Sequence, residues 1–424
     1  MTTQRKLVRA LEGEGALPAA WRDAVASVDR ALFIPEVFEG GDFSADPEAW
    51  LRTVYSDVPV VTQVNDGKET DPGAFRLPTS SSSMPSIMLE MLELLEVQDT
   101  DTVLEIGTGT GFNTAWLAHR LGDRRVFSVE LDPVIAAGAE ENLKHAGFRP
   151  TVVVGNGYEG YAEGAPYCRV ICTCTVREIP RAWLAQCPDG RIVTPWGSSF
   201  FSGSYATLDV ADGEAHGTFS GYPAFMWDRT QRAGAGRIVD LYGREEGEKG
   251  TTGIEPRNVI QDGPAFFTGL TVTDAWYRWC EAVDGSGEAT LWLFSDDRKS
   301  WATVEYTPHA ETYEVEQYGP RALWDEVRAA FLRWHDLGGP ERHRFGLSVG
   351  ADGQRVWLDD PRTPSHDRSG WEALVRGLCD CATPGPDGRL GTCLRRAGPS
   401  ARRASGAARQ RGLQQCQLLG AQGQ

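Results

Sequence analysis

Three glycines at alternate positions follow a short apolar run. Gly107, Gly109 and Gly111 come directly after TVLEI and before the helical pattern NTAWLAHRL. Glycines at a turn between a strand and a helix let a ligand approach the backbone closely, and the first amides of the helix face that ligand. The spacing is GxGxG, whereas dinucleotide-binding enzymes favour GxGxxG, and Glu105 precedes the glycines. The pattern therefore favours S-adenosylmethionine over NAD as the ligand.

Polar residues also end the next two apolar runs of this region. Glu130 lies at the end of RVFSVEL, where its carboxylate can accept hydrogen bonds from both hydroxyls of a ribose. Asn156 follows the run TVVVG, and its side chain can bond to the edge of an adenine. The predicted cofactor-binding set is Glu105, Gly107, Thr108, Gly109, Gly111, Asn113, Glu130, Leu131, Asn156 and Gly157.

Composition excludes several classes of partner. The chain has 424 residues, of which 24% are charged, and a formal net charge of −17, so we expect neither nucleic acid nor a membrane surface as partner. Nine cysteines stand at irregular spacings without a zinc-ligand pattern, so no metal site is expected. The N-terminal segment does not resemble a signal peptide, and we expect a cytoplasmic protein. The sequence gives no prediction of oligomeric state.

Apolar runs alternate with helical segments from Pro85 to about Gly197, which predicts an α/β fold with a parallel sheet. Strand-like runs with polar turns and one amphipathic helix, RALWDEVRAAFLRWHDLG, then predict an α+β C-terminal extension. After Asp387 the chain has seven arginines and no acidic residue, which is typical of disorder. A basic interaction tail and a shifted reading frame both explain this composition. The predicted domains are an N-terminal helical, substrate-side segment (1–80), a cofactor-binding domain (81–200), the extension (201–385), which could bind a peptide, and the tail (386–424).

Together these segments resemble the protein L-isoaspartate (D-aspartate) O-methyltransferase family. The resemblance runs from Ser81 to Gly197, and the upstream DRALFIPEVF resembles the family's entry segment. It is carried by SSSMPSIMLEMLELL, VLEIGTGTGFNTAWLA, VFSVELDP, GNGYEGYAEGAPYCRVICTCTVREIP and GRIVTPWG. The resemblance implies a Rossmann-like methyltransferase fold that uses S-adenosylmethionine. The family usually has aspartate where this chain has Asn156, whose amide oxygen can still accept a hydrogen bond from adenine.

The resemblance also implies a substrate site. Ser83 falls on the serine of the family's Ser-x-Pro substrate loop and is the predicted catalytic position. Thr79, Ser82, Met84 and Pro85 are the predicted substrate-positioning residues around it. A carboxylate is already an anionic nucleophile at neutral pH, so Ser83 would position the substrate and no strong general base is required.

The serine-rich TSSSSMP and the long extension are similar to methyltransferases of ATP-grasp peptide (graspetide) maturation and to lanthipeptide-tailoring enzymes. Those homologues methylate an aspartate of a ribosomally made peptide, and the ester then cyclises to a succinimide. This likeness implies a modified precursor peptide as the partner. Repair of isoaspartyl proteins, and a non-catalytic peptide-binding role in a maturation complex, stay open as alternatives.

Overall fold

The structure is a computed structural model, and it describes residues 3–68, 76–232 and 246–361. The chain forms two compact units. Of the described residues, 3–68, 76–196, 203–231 and 346–356 make up the first unit, and 197–202, 232, 246–345 and 357–361 make up the second. The predicted tail, 386–424, and the end of the predicted extension lie outside the described residues.

The elements are named here in chain order. The strands are β1 (Val37–Phe38), β2 (Gly41–Asp42), β3 (Val60–Val64), β4 (Pro78–Ser82), β5 (Val103–Ile106), β6 (Val126–Glu130), β7 (Thr151–Val154), β8 (Arg169–Cys172), β9 (Gly190–Gly197), β10 (Ser202–Ala211), β11 (Glu214–Ser220), β12 (Glu248–Thr252), β13 (Ala275–Glu281), β14 (Ala289–Ser295), β15 (Trp301–Tyr306), β16 (Tyr313–Tyr318), β17 (Phe345–Gly350) and β18 (Gly353–Leu358). The α-helices are α1 (Gln4–Gly13), α2 (Arg22–Ser27), α3 (Pro47–Val54), α4 (Pro85–Leu94), α5 (Phe112–Leu121), α6 (Pro133–His145), α7 (Arg181–Gln186), α8 (Pro256–Val259), α9 (Asp262–Thr271) and α10 (Leu323–Asp336).

The first unit contains a mixed sheet in the order β18-β17-β11-β10-β9-β8-β5-β6-β7. The five strands from β9 to β7 are parallel, and all four residues of β5 are buried, as expected for strands covered on both faces. The chain runs outward from β5 through β6 to β7 and then returns to β8 on the other side. A reversal of this kind places a ligand site at the carboxyl ends of β5 and its neighbours. The Rossmann-like α/β prediction is confirmed.

Helices α5 and α6 begin at the carboxyl ends of β5 and β6. Gly111 precedes α5 with a φ of 87°, and buried Trp116 and Leu117 of this helix join the main apolar core. Asp132 caps α6, because its carboxylate accepts hydrogen bonds from the amides of Val134 and Ile135, at 2.9 and 3.4 Å. The two helix starts therefore lie at the sheet edge where the sequence predicts a cofactor.

Two N-terminal segments depart from the sequence patterns. The residues from Trp21 to Leu32 have the apolar spacing of one amphipathic helix, yet α2 ends at Ser27 and Asp29 caps a short 3-10 turn. The serine-rich run is strand β4, which pairs antiparallel with β3. Ser80 and Ser82 are only 8% and 2% exposed, so small hydroxyl side chains occupy the inner face of a polar strand.

The predicted boundary near residue 200 falls inside the sheet of the first unit. Strands β10 and β11 extend this sheet beyond β9, and β17 pairs antiparallel with β11. Their backbone groups continue the ladder begun by the parallel strands, so residues 203–231 and 346–356 belong to the first unit. The predicted extension is therefore divided between the two units.

The second unit has its own antiparallel sheet, in the order β12-β16-β15-β14-β13. Helix α10 follows β16 and matches the predicted amphipathic helix, with Leu323, Val327 and Phe331 buried. Among the described residues, no helix is both long enough and apolar enough to cross a membrane.

Candidate functional site

The glycine turn after β5 has the backbone that its sequence predicts. Gly107, Gly109 and Gly111 all have positive φ, at 89, 55 and 87°. A Cβ at Gly107 would lie 2.8 Å from the Thr173 hydroxyl, and one at Gly109 would lie 3.3 Å from the Ser81 carbonyl oxygen. Both the left-handed backbone and the close neighbours therefore require glycine. The contact with Ser81 also shows that strand β4 passes directly beside this turn.

Glu130 connects the end of β6 to the glycine turn. One carboxylate oxygen accepts a hydrogen bond from the Gly109 amide at 3.0 Å, and the other accepts one from the Asp132 amide at 3.1 Å. Burial raises the pKa of the Glu130 carboxyl, and these two amides oppose that rise. Each oxygen keeps a further lone pair, so the group can accept hydrogen bonds from a ligand diol.

Glu105 and Asn113 form a buried pair behind the turn. Glu105 is fully buried, and its oxygens accept hydrogen bonds from Asn113, Thr114 and Ser128 at 2.7, 2.5 and 2.7 Å. A carboxylate without accessible surface orients its neighbours rather than touching a ligand, which corrects the predicted ligand role of Glu105. Thr108 is 4% exposed, and its hydroxyl bonds to Ser128, so its side chain is engaged behind the turn and its cofactor contact stays a prediction.

The amide nitrogen of the Asn113 side chain has a hydrogen-bond partner, whereas the amide oxygen has none among the described residues. Its Nδ2 donates to Glu105, which fixes the orientation of the amide, and its Oδ1 is buried without a hydrogen-bond partner among the described residues. An unsatisfied buried acceptor at the first turn of α5 is unfavourable unless a donor arrives. This oxygen has almost no accessible surface, so direct contact of Asn113 with a cofactor stays a prediction.

Asn156 caps the turn that follows β7. Its Oδ1 accepts a hydrogen bond from the Tyr158 amide at 3.0 Å, which leaves the Nδ2 group facing outward as a donor. The predicted contact with adenine uses the amide oxygen, which accepts from Tyr158 and keeps a second lone pair, so this contact stays a prediction. Gly157 is buried, and a Cβ there would lie 2.4 Å from Ile106, so this glycine serves packing. Leu131, next to Glu130, is 40% exposed and can contact a ligand with its apolar side chain.

The predicted substrate serine lies at the end of β4. Ser83 is half-buried, and its hydroxyl has no hydrogen-bond partner among the described residues. By contrast, buried Ser82 accepts a hydrogen bond at its hydroxyl from Arg30, and Thr79 bonds to Gln63 within the hairpin. Met84 precedes α4, and buried Pro85 begins it. The hydroxyl of Ser83 is thus available to a substrate, whereas those of Thr79 and Ser82 are engaged internally.

Arg30 holds this segment from inside the protein and was not predicted as a site residue. Its guanidinium is fully buried and donates to the carbonyl oxygens of Ser82 and Ser83 at 3.2 and 3.1 Å. It also donates to three carbonyl oxygens of the segment 54–58. Burial lowers the pKa of Arg30 to about 10, with Asp57 opposing, so the group stays charged at neutral pH. The only sequence signal was its place in the DRALFIP segment.

Arg229 was also missed, and no sequence signal marked it. Its guanidinium lies 3.3 Å from the carboxylates of both Asp66 and Asp132, and it donates to Gln63 Oε1 at 2.7 Å. Asp66 follows β3 in the hairpin, whereas Asp132 follows Glu130. Arg229 therefore joins the β3–β4 hairpin to the end of β6.

The residues at this edge fit S-adenosylmethionine. Gly109 has a left-handed backbone that favours glycine and lies close to the Ser81 carbonyl oxygen, and Glu130 has acceptor capacity for ribose hydroxyls.

Comparisons with known proteins find similarity to protein-L-isoaspartate O-methyltransferases. The family model described as protein-L-isoaspartate(D-aspartate) O-methyltransferase matches residues 2–211. A protein-L-isoaspartate O-methyltransferase of Ignicoccus hospitalis is 31% identical over 193 residues, which are 45% of this chain and 79% of that protein. One of Methanoculleus marisnigri is 36% identical over 176 residues, 41% of this chain and 67% of that protein. A solved structure titled protein-L-isoaspartate O-methyltransferase has a TM-score of 0.49 and 22% identity, covering 84% of this chain and 100% of its own.

Proposed function

This chain belongs to the protein-L-isoaspartate (D-aspartate) O-methyltransferase family of S-adenosylmethionine-dependent enzymes, and we propose that it methylates an aspartate carboxylate in a ribosomally made, modified peptide. The observation that carries the proposal is the half-buried Ser83 hydroxyl, unpartnered among the described residues, on a strand that passes the glycine turn at Ser81. The methyl ester then cyclises to a succinimide when the following backbone nitrogen attacks it and expels methanol.

The residues around the site account for the chemistry. When bound, S-adenosylmethionine supplies a methyl group on a positively charged sulfur. Glu130, Asn113 and the glycine turn hold the cofactor, and Arg30 fixes the main chain that carries Ser83. The Ser83 hydroxyl donates a hydrogen bond to one oxygen of the acceptor carboxylate and so orients the other. Since the carboxylate is already ionised, the rate gain comes from proximity and orientation, and no side chain has to remove a proton.

Two features support a peptide rather than a damaged protein as acceptor. The chain continues beyond the family match into a second unit with its own sheet, inserted between β11 and β17. A serine-rich strand also precedes Ser83, which resembles the peptide-tailoring homologues. A folded unit outside the cofactor-binding sheet offers further surface for recognising parts of a constrained peptide away from its reacting aspartate.

Repair of isoaspartyl proteins is the second candidate. Its support is that relatives named protein-L-isoaspartate O-methyltransferase match this chain over most of their own length, 79% for the Ignicoccus hospitalis protein. Both candidates use the same carboxyl chemistry at Ser83. They differ in whether the acceptor is an ordinary aspartate in a constrained peptide or an isoaspartate.

Mass spectrometry with two acceptors separates the candidates. The purified chain and S-adenosylmethionine are incubated with a precursor peptide that has been cyclised by its ATP-grasp ligase, or with a linear isoaspartyl peptide. The proposal expects the cyclised peptide to gain one methyl group and then lose methanol, for a net loss of water. The uncyclised precursor is the matched control and should react little. Methylation of the isoaspartyl peptide alone would favour repair, and cofactor binding without methylation of either peptide would favour a binding module.

A further inference from the structure

Arg229 lies in a segment beyond the part of the chain that matches the family. The family match ends at residue 211, and the residues from 221 to 231 follow β11 within the first unit. This segment is fixed to the end of β8, since the Thr175 amide donates to the Met226 carbonyl at 2.8 Å and the Asp228 amide donates to the Thr175 carbonyl at 2.9 Å. Arg229 therefore projects from a backbone held at the carboxyl edge of the sheet.

The guanidinium of Arg229 joins two parts of the site. On one side it lies 3.3 Å from the Asp132 carboxylate, and Asp132 donates its own amide to Glu130. On the other side it contacts Asp66 and donates to Gln63 and, at 3.4 Å, to the carbonyl oxygen of Thr79 in β4. Only 21% of the Arg229 side chain is exposed, so these pairs are partly shielded from water.

We propose that Arg229 is a positioning residue for the cofactor, which holds Asp132 and strand β4 in place so that Glu130 presents its carboxylate to the ribose. The inference requires that the protein binds S-adenosylmethionine, and it does not depend on which acceptor is methylated. Three carboxylates, Glu130, Asp132 and Asp66, lie around this one guanidinium. Without it, Asp132 and Glu130 would repel each other, and the hairpin would lose its ionic contact with the end of β6.

Calorimetric titration with S-adenosylmethionine tests this role without any acceptor. Arg229→Met is expected to raise the Kd on the order of tenfold. Arg229→Lys should restore part of the affinity, because one ammonium can pair with Asp132 but cannot also bridge to Gln63 and Thr79. Arg120→Met is the matched control, since Arg120 is 18% exposed and pairs with Asp99 at 3.1 Å. The Kd of this control should equal that of the wild type.

A second variant gives an independent measurement. Asp132→Asn keeps an oxygen to cap α6 but removes the charge that Arg229 contacts. If the two residues act together, Arg229→Met should weaken binding much less in the Asp132→Asn background than in the wild type. When the pH is lowered, the cofactor affinity of Arg229→Met should begin to fall at a higher pH than that of the wild type. Without Arg229, Glu130 loses a nearby cation that lowers its pKa and so favours its ionised form. Wild-type affinity in Arg229→Met would overturn the proposal.

Discussion

Arg30 donates a hydrogen bond to the carbonyl oxygen of Ser83 at 3.1 Å, across 53 positions of the chain. The same guanidinium lies 5.8 Å from the centre of the ring of Phe112. Phe112 is the first residue of α5, next to the glycine turn. A single buried side chain thus contacts both the proposed acceptor strand and the first residue of the cofactor-side helix. This relation explains how a serine in a polar run keeps a defined position.

Replacing Arg30 by lysine should destabilise the protein and slow methyl transfer. A lysine has one ammonium, so several carbonyl oxygens that accept from the guanidinium would be left unsatisfied in the core. We expect a loss of about 2–4 kcal/mol in the free energy of unfolding. Urea titration measures it, with Arg22→Lys as control, because among the described residues Arg22 forms an exposed ion pair with Glu12. Equal stability of the two variants would contradict the role of Arg30.

The variant Ser83→Ala should reduce kcat/KM for the acceptor while leaving cofactor affinity nearly unchanged. Loss of one hydrogen bond to a carboxylate corresponds to roughly a tenfold to hundredfold effect on rate. Steady-state kinetics and cofactor calorimetry measure the two quantities separately. Ser86→Ala is the control, since Ser86 is also half-buried and lies three residues further along. A parallel loss of rate and cofactor affinity would show that Ser83 supports the cofactor site instead.

For Glu130→Gln we expect a Kd for S-adenosylmethionine at least about tenfold higher than in the wild type. The two carboxylate oxygens both accept from backbone amides, those of Gly109 and Asp132, whereas glutamine offers only one acceptor. The amide nitrogen of the glutamine would face one of these two backbone amides, which is also a donor, and the glycine turn would shift. Glu93→Gln, on the exposed side of α4, serves as control. Unchanged affinity in Glu130→Gln would remove Glu130 from the cofactor site.

Introducing aspartate at position 156 should strengthen cofactor binding by a factor of about three to ten. Aspartate keeps the acceptor that caps the turn at Tyr158 and replaces the outward donor by a second acceptor, which suits the amino group of adenine. A competition binding assay with S-adenosylhomocysteine measures the change in affinity for the cofactor. Asn258→Asp is the control, because its Oδ1 accepts a hydrogen bond in the second unit. Weaker binding in Asn156→Asp would indicate that the cofactor uses the amide as a donor.

The buried carboxyl of Glu105 gives a prediction about pH. Burial raises the pKa of Glu105 above its ordinary value of 4.5, although three side-chain donors oppose the rise. A folded-state pKa above the unfolded one contributes stability that is present below pH 4.5 and is lost as the pH rises through the folded-state value. Relative to the wild type, Glu105→Gln should therefore become progressively more stable as the pH rises above 4.5. Thermal unfolding of both proteins across this range tests the sign, which a constant difference would contradict.

The sequence by itself determined the cofactor side of this protein. Glycines at fixed spacing, an acidic residue at the next strand end and alternating apolar runs are local features, and the backbone of Gly109 and the position of Glu130 follow from them. The order of apolar runs and helical segments also predicted the parallel sheet, because strands covered on both faces have to be continuously apolar.

Tertiary structure alone decided which polar groups remain available. A serine-rich run reads as a loop, yet pairing with β3 makes it a strand, and Arg30 engages Ser82 while the Ser83 hydroxyl has no partner among the described residues. Glu105 looks like a ligand in sequence, but its burial assigns it to Asn113. Arg229 reaches Asp132 from 97 positions away, and no local pattern encodes a contact that depends on how separate elements pack.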